Sequence, residues 1–411
     1  MTDITGYLTH DQLADLWSRL PQDTQAIFRT DGNDRSTWRQ LMAFNPSQTF
    51  ILEKITQLPD FRSFLHEHRD KLCAGYLSYD LGLNLHQLPS RHSRQMPLAI
   101  FHVFENWLEI EPETVNIIGS NSIFKETLIQ LLNKDPDPLS EYLPLHFESS
   151  VRQNEYAQNI GLIHNYIRAG DFYQINYTQR LHAETETASR ALYSKMIRHH
   201  PAAHACYFQQ DNLAIHSLSP ELFLHYADGI LTTEPIKGTR PRGKDETEDN
   251  ILRLELLNSE KEQAELFMIT DLLRNDLGKV CEINSIKLEA IKKLRKLPRV
   301  WHTYSRISGK LNAGLQPIEA LLSMFPGGSI TGCPKRRALE VIDELENSPR
   351  EIYTGSMGYF HPDGDFSFNI AIRTLVQQGS RLSLGSGGGI TIDSDWQGEW
   401  EELLVKASTF E

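Results

Sequence analysis

A chain of 411 residues with 40% hydrophobic content can bury the core of one large domain or two ordinary ones. Its formal charge of -13 argues against a nucleic-acid partner and against an anionic membrane surface, because both need a basic footprint. An anionic ligand must then be held by a local positive site. The four cysteines, Cys73, Cys206, Cys281 and Cys333, are far apart and read as reduced thiols, without the paired spacing of a zinc or redox site. No apolar run approaches membrane-spanning length, and the opening Met1–Tyr7 stretch lacks a basic start followed by an apolar segment, so a cytoplasmic enzyme or binding protein is expected.

The first 130 residues mix short helical patterns with strand-like alternation, including a strand ending in a turn at Gly75–Asp80 and a strand from Pro97 to Trp107. Asn133–Ser140, with Asp135-Pro136-Asp137-Pro138, reads as a linker, because alternating prolines resist both helix and sheet. It divides the chain into regions 1–140 and 141–411. Ser150 and Gln153 fit a capping box for a helix that places Tyr156, Ile160, Ile163 and Ile167 on one face and ends at Gly170. Strands are expected at Phe172–Arg180, His204–Phe208, Leu213–Ser217, Leu222–Tyr226, Met357–His361, Ser367–Val376 and Arg381–Leu384, and helices at Ser259–Leu277, Pro317–Met324 and Lys335–Leu345. Strands and helices cluster separately, without β-α-β alternation, which predicts an α+β fold of large antiparallel β-sheets packed in a sandwich with helices outside.

Residues suited to chemistry gather in the second region. In Glu234-Pro235-Ile236-Lys237-Gly238-Thr239-Arg240-Pro241-Arg242-Gly243, two prolines fix the backbone around a lysine, and Gly238 removes a side chain that would block a ligand; a solvated basic turn is the alternative. Glu262 and Glu265 share a helix face with Ile269 and Leu272, which suggests a cation, although Ser259 and Glu262 also satisfy a capping box. Glu399 and Glu402 share a second helix face after Asp393-Ser394-Asp395, where the helix dipole alone would also accommodate acids. Together the two pairs suit Mg2+, which takes one or two direct carboxylates and keeps waters. The run Gly385–Gly389 after a strand exposes backbone N–H groups to an anion or forms a tight turn. Arg373, in an alternating strand, must be paired or bind something, and Lys335 opens a helix, where it is either solvated or faces an anion.

Several short motifs match a known family in the right order: Ala169–Gln174, Ser219-Pro220-Glu221, Pro235–Thr239, Ala264-Glu265, Asp271–Asp276, Phe325–Ser329, Thr331-Gly332 and Gly387–Ile390. By these the chain resembles the chorismate-utilising enzymes, which include anthranilate synthase component I, aminodeoxychorismate synthase component I and the isochorismate and salicylate synthases. The resemblance covers roughly residues 150 to 411 and more loosely Gly75–Asp80.

Within the family, aminodeoxychorismate synthases characteristically carry Lys in the Pro-Ile-Lys-Gly-Thr motif and anthranilate synthases Ala. Gln174 stands where the water-using branches place a lysine base. The resemblance therefore implies amination of chorismate at C4, towards 4-aminobenzoate and folate. It implies Glu221 as general acid and base, and Lys237 as nucleophile or positioning group. It also implies Mg2+ held by Glu265 and Glu402 with Glu262 and Glu399 close by, and a substrate carboxylate held by Tyr353, Arg373 and the backbone of Gly387, Gly388 and Gly389. Gly238 and Thr239 would line the ring, with Lys335 a further substrate contact. Ammonia would come from a separate glutaminase subunit. Two departures stand out: Cys333 replaces the usual Ala, and Ala26–Asp31 lacks the Leu-Leu-Glu-Ser pattern of tryptophan feedback. Anthranilate synthase component I is the rival expectation, and a non-catalytic chorismate-binding subunit is the one from another class.

Overall fold

The computed structural model describes residues 10–19, 26–30, 39–110, 115–119, 126, 128–131, 145–297 and 300–410. Central strands such as Leu72–Leu77 and Ala99–Phe104 are buried on both faces, so they read as continuous apolar runs and not as alternation. In the strand Leu72–Leu77, Leu72, Ala74 and Tyr76 join one apolar layer and Cys73 and Leu77 the other. The strand Cys206–Gln210 divides likewise: Cys206 and Phe208 pack with Leu72, Ala74 and Tyr76, and the Tyr76 and Phe208 rings meet edge to face at 5.5 Å. Tyr207 points the opposite way, to Trp17 of the helix His10–Arg19 and Tyr193 of the helix Ser189–His199, with ring centroids 5.2 and 5.3 Å away. These alternating contacts define two sheets face to face with helices on their outer sides.

Among the described residues one sheet has eleven strands and the other ten, and every strand pair in them is antiparallel. Both sheets draw strands from either side of residue 140: Ala26–Thr30 pairs with Cys206–Gln210 in the first, and Leu72–Leu77 pairs with Ser356–Phe360 in the second. The expected regions 1–140 and 141–411 thus both contribute strands to each layer. The proposed linker Asn133–Ser140 lies outside the described residues. Among the described residues no helix is long and apolar enough to cross a membrane.

Several expectations hold to the residue, including the strand Leu213–Ser217 and the helices Pro317–Met324 and Lys335–Leu345. Others are corrected. The helix Gln153–Ala169 starts after Arg152 with no side-chain cap, so Ser150 does not close a capping box; its end at Gly170, φ 83°, is as expected. The run Pro97–Trp107 is two strands, Ala99–Phe104 and Asn106–Ile110, in different sheets. Ser367–Val376 is also two, Phe366–Asn369 in the ten-stranded sheet and Thr374–Gln378 in the eleven-stranded one. Arg373 is thus not a strand residue: its φ of 48° turns the chain between sheets.

Candidate active site

Two crossovers lie side by side where the chain changes sheets. The strand Leu213–Ser217 leaves the eleven-stranded sheet and re-enters the other at Leu222–Ala227 through Ser219-Pro220-Glu221. The return path, Ile370–Arg373, is tied to it: Ile370 N donates to the Glu221 carbonyl at 3.1 Å, Ser219 Oγ to the Ile370 carbonyl at 2.6 Å, and Leu218 N to the Arg373 carbonyl at 2.8 Å. Strand pairing on both flanks leaves neither crossover room to drift, which fixes the backbone positions of Glu221 and Arg373 relative to each other.

Glu221 is 5% exposed, and its Oε1 accepts a 2.7 Å hydrogen bond from Ser329 Oγ. Burial pushes its carboxyl up to about 7, while the Ser329 hydroxyl and the Lys237 ammonium pull the other way. A carboxyl poised there can give or take a proton near neutral pH. Arg373 is half-buried, and burial lowers its guanidinium below the ordinary value. Among the described residues no carboxylate pairs with it, so the cation is available to an anion.

Lys237 lies on the edge strand Ile236–Pro241, paired with Val300–Lys310, and not in a turn. Register slips between Lys237, opposite Thr303, and Thr239, opposite His302. The slipped residue is Gly238, with φ 74°, and such a bulge re-aims the flanking side chains. A Cβ there would lie 2.7 Å from Leu256 Cδ1 and 2.8 Å from Glu262 Oε2, so glycine is needed for the helix bearing Glu262 to approach. The Thr303 hydroxyl donates to the Lys237 carbonyl and fixes the bulge from the partner strand. Thr239 is exposed, and its Oγ1 is 2.8 Å from His302 Nδ1.

His302 is a residue that sequence reasoning missed, because a lone histidine in a strand carries no motif. Burial, aided by the Arg373 charge, lowers its pKa to about 4, so it is a neutral imidazole, and among the described residues its buried Nε2 has no hydrogen-bond partner. It can donate or accept one bond towards a ligand.

The acids sit on two helices, Glu260–Gly278 and Trp396–Ala407. Ser259 does cap the first, accepting from Glu262 N at 3.3 Å, while the Glu262 side chain turns to Gly238 and to Arg240, 3.4 Å away. The cap and the cation-site alternatives for Glu262 are thus both compatible with one residue. On the second helix Asp395 is the cap, accepting from Gln397 N and Gly398 N, which leaves Glu399 and Glu402 for another role. A Cβ on Gly388 would stand 3.2 Å from Glu399 Oε2 and 3.7 Å from Glu402 Oε1, so both carboxylates overhang that backbone.

Burial pushes Glu265 above the usual carboxylate range; Lys237 and Lys261 oppose this, and Glu262 and Glu402 add to it. Burial likewise raises Glu399, with Ser394 opposing and Glu402 adding. For Glu402 burial is outweighed by Lys406, 2.6 Å away, with help from Lys237 and Lys261, and its carboxyl falls below the usual range. Carboxylates that repel one another across two helices are a donor set that fits a hard cation. Among the described residues no three of them stand at ligating distance of one point, and Mg2+ needs only one or two directly, with waters for the rest.

The glycine run is neither a turn nor a loop after a strand: Gly385–Gly389 lies inside the strand Arg381–Ile390. One edge pairs with Gln174–Glu184 through to Ile390, and the other pairs with Thr374–Gln378 only as far as Leu384. Beyond Leu384 that second edge has no strand partner, so alternate backbone donors of the glycine run are unclaimed by the sheet, as an anion site requires. Close packing explains the glycines: a Cβ on Gly387 would come within 2.2 Å of the Tyr177 carbonyl, and one on Gly389 within 2.0 Å of Gln174 Nε2. Tyr353 lies flat against Gly385 nearby, and burial raises its phenol well above the ordinary value, keeping it protonated.

Lys335 is not solvated. Its ammonium is buried against Asp276 Oδ2 at 2.8 Å and the Met324 carbonyl at 3.0 Å, so the anion it faces is internal. Through Asp276 it braces the turn Gly328–Ile330 that carries Ser329.

The chorismate binding enzyme family matches residues 7–411. The anthranilate synthase component 1 1 of Haloarcula marismortui is 35% identical over 358 residues, 81% of this chain and 73% of that protein. A chloroplastic aminodeoxychorismate synthase of Arabidopsis thaliana is 33% identical over 362 residues, 81% of this chain, and the chain spans only 39% of that longer relative. The crystal structure of anthranilate synthase component I from Streptococcus pneumoniae TIGR4 superposes with a TM-score of 0.79 and 27% identity, over 90% of this chain and 92% of that one. The order of motifs, the paired crossovers and this match over nearly the whole length lead to one conclusion: the chain belongs to the chorismate binding enzyme family.

Proposed function

We propose that this chain is the chorismate-aminating component of an aminodeoxychorismate synthase, acting in the cytoplasm and converting chorismate and ammonia to 4-amino-4-deoxychorismate. The observation that carries the reading is Lys237, set by the Gly238 bulge within electrostatic reach of Glu221, Glu265 and Glu402. Chorismate is a diacid, and the site offers two separate places for carboxylates: the unpaired Arg373 with the open glycine edge, and the acidic pairs with a bound cation.

In this reading Glu265 and Glu402 would hold Mg2+, with Glu262 and Glu399 ordering its waters; the ion supplies positive charge that anchors one substrate carboxylate. Arg373, Tyr353 and the backbone of Gly387–Gly389 take the other, and Gly238 and Thr239 border the ring. Protonated Glu221 delivers its proton to the departing C4 hydroxyl, which is a poor leaving group without one. Lys237, after giving its ammonium proton to solvent, adds at C2 as a neutral amine while the C4–O bond breaks and water departs. Ammonia then adds at C4 as the C2–N bond to lysine breaks, restoring the free amine. Ammonia is mostly protonated at neutral pH, so delivery by a separate glutaminase subunit belongs to the same proposal.

Anthranilate formation is the second reading. It is favoured by the extensive match to the Haloarcula marismortui and Streptococcus pneumoniae proteins, both named anthranilate synthases. A non-catalytic role is less well supported, since Glu221 bears its Ser329 hydrogen bond and carboxylates lie against Gly238 and Gly388. Product analysis with chorismate, Mg2+ and an ammonium salt separates the two enzymatic readings. The proposal predicts 4-amino-4-deoxychorismate without pyruvate; fluorescent anthranilate with stoichiometric pyruvate would overturn it in favour of the second.

A further inference from the structure

Among the described residues the Glu221 carboxylate accepts a single hydrogen bond, from Ser329, and several contacts hold that serine still. Ser329 is 8% exposed, on the single turn Gly328–Ile330. The Thr331 hydroxyl closes the turn, donating to the Gly327 carbonyl at 3.1 Å, and Arg350 donates to the Ile330 carbonyl at 3.0 Å. Below it, a Cβ on Gly328 would meet Leu272 Cδ2 at 2.6 Å and Asp276 Oδ2 at 3.5 Å, and Asp276 is itself pinned by Lys335 and Lys279. On the other side Gly327 packs on Ile370 and Phe223, which flank the Glu221 crossover. The hydroxyl and the carboxylate therefore belong to two elements clamped to each other.

We propose that Ser329 is a positioning residue for Glu221: its hydroxyl holds Oε1 and leaves Oε2 as the oxygen that exchanges a proton with the substrate. Oε2 has no partner among the described residues, and Lys237 is the one charged group that acts on this carboxyl. The inference rests on Glu221 acting on the substrate, as set out above. The bond favours the ionised carboxylate over the acid, so it also sets the pH at which Glu221 gives up its proton. Its loss moves that transition upward. No such movement follows from a serine that only fills space.

The test compares the parent with Ser329→Ala, Glu221→Gln and the double variant, with free ammonia held constant across pH. Ser329→Ala is expected to lower kcat by about 10- to 100-fold with KM for chorismate nearly unchanged, and to move the alkaline limb of kcat about one pH unit higher. In the Glu221→Gln background the same change is expected to have no further effect on residual turnover. A lower kcat with an unmoved alkaline limb, or full additivity of the two changes, would overturn the inference. If Glu221→Gln keeps parental turnover, the role given to Glu221 fails instead, and the two failures are distinct. Ser329→Cys, which keeps the side-chain volume with a weak donor, covers the case in which the alanine variant does not fold. It is expected to show the same limb movement at parental melting temperature, and a parental pH profile in it would also refute the assignment.

Discussion

Replacing Glu221 with glutamine should make the protein more stable, and increasingly so as pH rises. The folded chain holds this carboxyl at about 7 against an ordinary value of 4.5, because burial disfavours the charge more than Ser329 and Lys237 favour it. A carboxyl with a raised folded pKa contributes stability that is fully present below its unfolded pKa and is lost as pH rises through the folded one. Between the two values the unfolded chain has released the proton and the folded chain has not. Glutamine keeps the shape and can still accept from Ser329, but carries no charge, so it escapes the penalty. Linkage puts its advantage at about 2 kcal/mol near pH ~6 and about 3 kcal/mol near pH ~8.5, a growth of about 1 kcal/mol. Urea unfolding of both proteins at the two pH values, with ammonium and Mg2+ absent, measures that difference directly. A pH-independent offset, or a glutamine variant less stable at the higher pH, would refute the view that this carboxyl is buried at a cost in stability.

Other outcomes follow from the same geometry. Arg373→Met should raise KM for chorismate by about 100-fold or more, as expected for losing a buried charge-assisted contact, without lowering the melting temperature, because an unpaired guanidinium is removed from a half-buried place. A drop in melting temperature with KM intact would mean that Arg373 is structural. Mg2+ at about 100 times its dissociation constant should stabilise the parent by about 2.7 kcal/mol, seen as a rise in melting temperature, and Glu265→Gln with Glu402→Gln should abolish the rise. An undiminished rise in the double variant would place the ion elsewhere.

How far the sequence foretold this molecule depended on whether a signal was local. The helices Pro317–Met324 and Lys335–Leu345 could be delimited because prolines mark their starts and the pattern is unbroken. The helix Glu246–Asn258 was overlooked although Asp245 caps it by accepting from Glu248 N, a signal open to sequence reading. Ser367–Val376 looked like one strand since alternation carries no mark of which sheet a residue joins, and the change of sheet at Arg373 depends on partners far away in sequence. For the same reason Gly385–Gly389 reads as a run following a strand or as a tight turn: five residues with four glycines have poor strand propensity, and the need for glycine at 387 and 389 comes from the close approach of Tyr177 and Gln174. The acids were legible as pairs on helix faces. Their convergence with Lys237, the partner of Glu221 and the neutral His302 were not, because each is a contact between elements.

The role of Lys237 is tested most directly by following chorismate consumption and products for the parent and Lys237→Ala under identical ammonium and Mg2+. The account predicts that the parent releases 4-amino-4-deoxychorismate and that the alanine variant loses this product by at least about 100-fold while still binding chorismate. Formation of the same product at the parental rate without the lysine would contradict it.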